Sequence, residues 1–170
     1  MTDKPLADTL VGILSDLIAI PSPYPPSDSV AICAYAANFL RKAGYQVEIA
    51  GRTKGIDNVV ARLGKGSPVI AFNAHVDTVG VGERANWNTD PFTPVVKDGH
   101  VFGLGAGNCK GSMAVQLWLE QEIVRRGGPG KGEVIFTFVG DEETLGPDGM
   151  SYLRESGKVR PDALILGAQT

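Results

Sequence analysis

Leu6, Leu10, Ile13, Leu14, Leu17 and Ile18 recur at helical spacing, which predicts an amphipathic helix near the start of the chain. The pattern breaks at Pro21-Ser22-Pro23-Tyr24-Pro25-Pro26, where fixed φ angles and missing N–H groups forbid its continuation and predict a rigid loop. Ser27 or Asp28 can cap a second helix over Val30 to Lys42, with Gly44 placed to end it in a left-handed conformation. Tyr45 to Ala50, Asn58 to Leu63 and Val69 to Asn73 then alternate or run apolar between Gly-containing turns and predict three strands. The third is nearly all apolar, as suits a strand covered on both faces.

From Gly80 to Val96 the pattern is lost. The segment is long for a passive connection, and Trp87 and Phe92 are its expected anchors. His100-Val101-Phe102 predicts a short strand, and the glycine-rich stretch from Gly103 to Gly111 feeds a helix from about Ser112 to Arg126, with Met113, Ala114, Leu117, Ile123 and Val124 on its apolar face. Glu133 to Val139 and Ala163 to Leu166 predict two further strands, with a short helix over Met150 to Glu155 between them. Strands and helices interleave in this way in α/β folds.

Composition narrows the class. With 170 residues and 43% hydrophobic content the chain is of single-domain size and can bury one sizeable core. A net charge of -3 argues against a nucleic-acid partner and for a small-molecule substrate. No apolar run approaches the ~18 residues of a membrane helix, and the N-terminus lacks the apolar core of a signal peptide, so a cytoplasmic location is expected. Cys33 and Cys109 stand in unrelated contexts and are expected to be reduced.

The chemistry gathers at strand ends. In an extended chain alternate side chains share a face, so His75 and Asp77 point the same way just past an apolar strand, the arrangement by which a carboxylate orients a metal-binding imidazole. Asn108 and Lys110 lie in the glycine-rich loop, and Asp141, Glu142 and Glu143 follow the strand ending at Val139. In open α/β sheets ligands bind at this rim. One imidazole with adjacent carboxylates suits Zn²⁺ or Mn²⁺, and a carboxylate left free beside the ion can take a proton from water, which predicts metal-assisted hydrolysis. Cys109 has no motif-paired histidine, which argues against a thiol nucleophile.

Four stretches, Ile18-Ala19-Ile20-Pro21-Ser22, then Ala74-His75-Val76-Asp77-Thr78-Val79, then Trp87 to Phe92 leading into Gly103 to Gly111, and Asp141-Glu142-Glu143 with Gly146, together resemble the M20 family of metallopeptidases and amidohydrolases. The resemblance implies a three-layer sandwich with a mixed, mostly parallel central sheet flanked by helices, the zinc-exopeptidase-like catalytic domain, here incomplete. It implies hydrolysis of an amide or other C–N bond of a small amino-acid-like substrate. His75 would bind a metal, Asp77 would fix its tautomer, Glu142 would be the general base and Glu143 a ligand of a second metal. Lys110 matches a family lysine.

Three departures qualify this. Asn108 stands where the family usually has a metal-bridging aspartate, and Ala168 where it usually has an acidic ligand. A neutral amide offers one oxygen and no charge, so one Zn²⁺, Mn²⁺ or Co²⁺ ion is favoured over two. The family's lid and dimerisation domain, and a C-terminal catalytic segment with a further histidine, have no counterpart in residues 1–170, which read as the N-terminal portion of a catalytic domain. His100 does not match that histidine and is assigned a structural role. A homo-oligomer in the full-length form and a complementing C-terminal chain are the expected partners. The rival readings are a single-metal aminohydrolase or deaminase acting on an unusual amine, and a non-catalytic binding or assembly protein with a degenerate site.

Overall fold

A computed structural model of the chain describes residues 4–26 and 28–167. In chain order its elements are α1 (Lys4–Ile18), β1 (Pro23–Tyr24), α2 (Val30–Ala43), β2 (Gln46–Thr53), β3 (Ile56–Lys65), β4 (Val69–His75), β5 (Thr78–Val79), β6 (Val95–Lys97), β7 (His100–Phe102), α3 (Lys110–Arg125), β8 (Gly132–Val139), α4 (Met150–Glu155) and β9 (Ala163–Leu166), with a single 3₁₀ turn at Arg84–Asn86. Every helix and strand expected from the pattern is present. Gly44 ends α2 at φ 98°, and its N–H and that of Tyr45 close the last turn. The helix begins with the N–H of Val30 donating to Asp28 Oδ1 at 3.0 Å, while Ser27 lies outside the described residues.

The central sheet has the order β2-β3-β8-β4-β9. β2 and β8 are both antiparallel to β3, and β4 is parallel to both β8 and β9, so β3 alone is reversed and the sheet is mixed and mostly parallel. Helices α1, α2 and α3 cover one face through a core that includes Leu17, Ile32, Leu40, Met113, Leu117, Phe136 and Phe138. The other face packs Val60, Ala71, Ile135 and Val139 under Leu153 of α4 and Val159. This is the three-layer α/β arrangement. Burying side chains of this size contributes about 1.5–3 kcal/mol each.

Two strands end together, because register pairs His75 of β4 with Val139 of β8. The residues after both ends therefore emerge at one rim. There the Pro-rich loop after α1 is more than a helix stop, since its Pro23 and Tyr24 pair in parallel with Thr78 and Val79. The long segment after β5 is tied down by the indole N–H of Trp87, which donates to the carbonyl of Val81 at 2.9 Å, and by buried Pro91, whose carbonyl accepts the N–H of Leu104 at 2.7 Å. His100 is exposed, with Nδ1 2.8 Å from the carbonyl of Asp98. Among the described residues no helix is long and apolar enough to cross a membrane.

One polar residue breaks the core pattern. Glu120 continues the stripe of Met113 and Leu117 on α3, is fully buried, and neither carboxylate oxygen has a hydrogen-bond partner among the described residues. Burial raises its pKa to about 8, so the folded chain holds it as a neutral acid at moderate pH. A raised carboxyl pKa means the native state binds the proton more tightly than the unfolded chain. Its contribution is thus complete below the unfolded value near 4.5 and is lost as pH rises through about 8. Urea unfolding at pH 5 to 9 should show stability falling with pH, and Glu120→Met should flatten that slope and stabilise the chain at pH 8 by about 1–3 kcal/mol.

Candidate metal centre

His75 is the last residue of β4, and the residue is 3% exposed at the rim. Nδ1 lies 3.0 Å from the main-chain oxygen of Asp77 and 3.4 Å from its carboxylate Oδ1. The backbone oxygen is the nearer partner, so Asp77 holds the ring with its peptide as well as its side chain. With Nδ1–H donating there, Nε2 presents its lone pair outward. Facing Nε2 are Asn108 Oδ1 at 3.2 Å and Glu142 Oε2 at 3.7 Å. With the ring neutral three electron-pair donors converge there; with it protonated, Nε2–H donates to Asn108 Oδ1.

Glu143 completes the group. One ligand atom each from His75, Glu142 and Glu143 lie within 4.8 Å of one another. The acidic loop is anchored on the same pair from its backbone side: the N–H of Glu143 donates to Asp77 Oδ2 at 2.9 Å. Asp77 Oδ1 is buried and has no well-formed hydrogen bond, so this carboxylate keeps a free lone-pair direction beside the imidazole. A borderline divalent ion fits this donor set of one imidazole, one amide oxygen and carboxylates.

Electrostatics within the group run the same way. Burial alone would lower the His75 pKa, but Asp77, then the neighbouring Cys109 thiol and last the carboxylate of Glu142 outweigh it, and the imidazole is raised above its ordinary range. Burial would raise Asp77, yet the bonds from His75 and from the N–H of Glu143 hold it below the usual carboxylate value. Glu143, half-buried, is pushed up by burial and by the neighbouring negative charge of Glu142. The pocket is rich in negative charge and short of cations.

Asp141 is not part of the group, although it adjoins Glu142 in sequence. At φ 67° it turns inward and organises its own loop, accepting from Thr144 Oγ1 at 2.5 Å and from the N–H of Asp148 at 2.9 Å. Gly146 is required beside it, since a Cβ there would fall 1.9 Å from Asp141 Oδ2. Asn58 holds the same loop from below, accepting from the N–H of Gly140 and donating to the carbonyls of Ala50 and Asp148. Neither role was legible in the pattern, because both depend on contacts between distant segments. Lys110 is fully buried, its Nζ donates to the carbonyl of Ile20 at 2.8 Å, and burial lowers its pKa to about 8. Ala168 lies outside the described residues. A cavity of about 790 Å³ beside α4 and β9, lined by Met150, Arg154, Pro161 and Leu164, contains none of the metal-site residues.

Comparison with known proteins identifies the family and the fold. The model of the peptidase family M20/M25/M40 matches residues 71–169. The succinyl-diaminopimelate desuccinylase of Bordetella parapertussis is 34% identical over 168 residues, covering 96% of this chain and 43% of the relative. That of Methylorubrum populi is 35% identical over 162 residues, covering 91% and 41%. Among solved structures, human carnosine dipeptidase 1 superposes with a TM-score of 0.78 at 22% identity, over 96% of this chain and 39% of that one. A dinuclear metal-binding peptidase of the M20 family from Bacillus subtilis gives 0.69 at 23%, over 96% and 43%. The chain spans less than half the length of these relatives.

Cys109, next to Asn108, is fully buried, and its thiol donates to the main-chain oxygen of His75. Burial pushes its pKa up, as it does for the buried Cys33. A thiol-reactive chromogen should therefore label neither cysteine in the native chain within minutes and both after denaturation. Rapid native labelling of Cys109 would restore it as a candidate nucleophile.

Proposed function

The chain belongs to the peptidase family M20/M25/M40, and from that premise we propose that it carries the N-terminal part of a metal-dependent hydrolase that cleaves an amide bond of a small amino-acid-like substrate. The observation that carries this reading is the convergence of His75, Glu142 and Glu143 within 4.8 Å, with the far side of the imidazole held by Asp77. The N-succinyl amino acids are the first substrates to test, from the names of the relatives.

His75 and Glu143 would hold the ion, with Asn108 as a neutral third ligand. A bound divalent ion supplies Lewis acidity toward a water and an amide carbonyl. Glu142 has a half-exposed side chain and lies against the ligand side of the imidazole. It would take the proton of the attacking water and return it to the leaving nitrogen as the C–N bond breaks. Asp77 stays ionised throughout, balancing the imidazole and fixing its tautomer. Residues beyond those described, or a complementing chain, would supply further ligands and the substrate-selective surface.

Asn108 favours one ion over a pair. Two divalent cations close together repel, and an amide provides no charge to offset that repulsion.

Two measurements test this reading on the full chain. His75→Ala should weaken Zn²⁺ binding by at least about 100-fold, whereas Glu142→Gln should leave binding near wild type and lower hydrolysis of N-succinyl amino acids by roughly 10²–10⁴-fold. Undiminished turnover in Glu142→Gln would eliminate it as the base. Metal analysis of purified protein should find one ion per chain, with Asn108→Asp raising the uptake of a second. Two tightly held ions in the wild type would contradict the single-ion assignment.

A further inference from the structure

β4 ends at His75, but the chain stays buried as it leaves the sheet: Val76, Asp77 and Thr78 are all at most 3% exposed. Peptide groups that leave a sheet without reaching water must find other partners. The N–H of Val76 still reaches the carbonyl of Val139 at the end of β8, at 2.8 Å. The next two groups are met by one residue. Ser22 Oγ donates to the carbonyl of Val76 at 2.6 Å, and the carbonyl of Ser22 accepts the N–H of Thr78 at 2.9 Å.

Ser22 therefore grips the residue before Asp77 and the residue after it. It lies 54 positions away in sequence, is 1% exposed, and sits in the turn whose Ile20 carbonyl is held by buried Lys110. The Val76 carbonyl belongs to the peptide plane that carries the nitrogen of Asp77. The N–H of Thr78 belongs to the next plane, which carries the carbonyl of Asp77. The hydroxyl of Ser22 thus fixes the plane entering Asp77 and its carbonyl the plane leaving it, and together they set where Asp77 meets Nδ1 of His75.

We propose that Ser22 is a positioning residue of the metal centre, acting through the Val76–Asp77 peptide on the tautomer and direction of His75 and touching neither metal nor substrate. The inference rests on reading His75 as a ligand. Groups that orient a metal-binding histidine typically affect affinity by 10–100-fold. The hydroxyl of Ser22 acts one bond further out, so the lower end of that range applies.

Zn²⁺ titration calorimetry on the full chain, with thermal unfolding of each variant, provides the test. Ser22→Ala should weaken binding about ten-fold, and Ser22→Thr, which keeps the hydroxyl, should restore it. Ser22→Cys keeps the shape with a weaker donor and carries the same expectation of weakened binding if Ser22→Ala does not fold. Tyr45→Phe is the matched control: it removes another buried hydroxyl, bonded to the carbonyl of Glu120 at 3.3 Å, and should lower thermal stability without changing affinity. Wild-type affinity in Ser22→Ala and Ser22→Cys, or an equal loss in Tyr45→Phe, overturns the proposal. If His75→Ala also binds like wild type, the metal-site reading has failed; if His75→Ala loses binding and Ser22→Ala and Ser22→Cys do not, the positioning role alone has failed.

Discussion

The rim of this fold is governed by a shortage of hydrogen-bond partners where two parallel strands stop. β8 and β4 end side by side at Val139 and His75, and the chain just beyond each, through Asp141 and through Thr78, remains under cover. Neither segment can satisfy all its peptide groups from the sheet. The segment after β4 borrows from Ser22 and Val139, while Cys109 meets the carbonyl of His75 itself. The segment after β8 is served by Asn58, by the side chain of Asp141 and by the carboxylate of Asp77. Each borrowed bond costs little to make and much to lose, because an orphaned buried group forfeits its full hydration. Two loops that would otherwise move freely are thereby held against each other, with His75, Glu142 and Glu143 between them.

The same shortage explains why Asp77 matters more than its neighbours. It is buried and ionised, and every contact that lowers its pKa is also a contact that positions something: the imidazole on one side, the N–H of Glu143 on the other. A carboxylate in such a place stabilises the fold only while both partners remain. Geometry at the site and local stability are therefore coupled, and loosening the acidic loop would free the histidine.

Much of the fold was legible because it rests on local periodicity. The helical spacing of Leu6 to Ile18, the apolar run of β4 and the left-handed Gly44 are short-range signals, and each appears where the pattern put it. His75 and Asp77 were legible as a pair by their spacing of two, but β4 ends at His75, so contacts outside the strand and not its alternation bring Asp77 to the ring. Asp141 was not separable from Glu142 and Glu143 by type or spacing; only its positive φ turns it away from the site. Ser22 read as part of a helix-breaking loop, and its service to a peptide 54 residues later is a tertiary contact with no local signature. Glu120 sits on an apolar helix face where the pattern calls for a hydrophobe, and its neutrality follows from burial that composition cannot reveal.

Charge balance bears on the neutral amide at position 108. Asp77 is held ionised, and Glu142 and Glu143 bring two further carboxyl groups to the same few ångströms. The raised pKa of Glu143 records the strain of that crowding, with burial as its larger cause. A single divalent cation relieves most of the excess negative charge. A second would need another anion to be held at close range, and an aspartate at position 108 would provide it. The amide present there keeps an oxygen 3.2 Å from Nε2 but adds no charge. On the proposed reading Asn108 would keep the oxygen of a ligand while lowering the site's capacity for positive charge, and the carboxylates present would balance one ion.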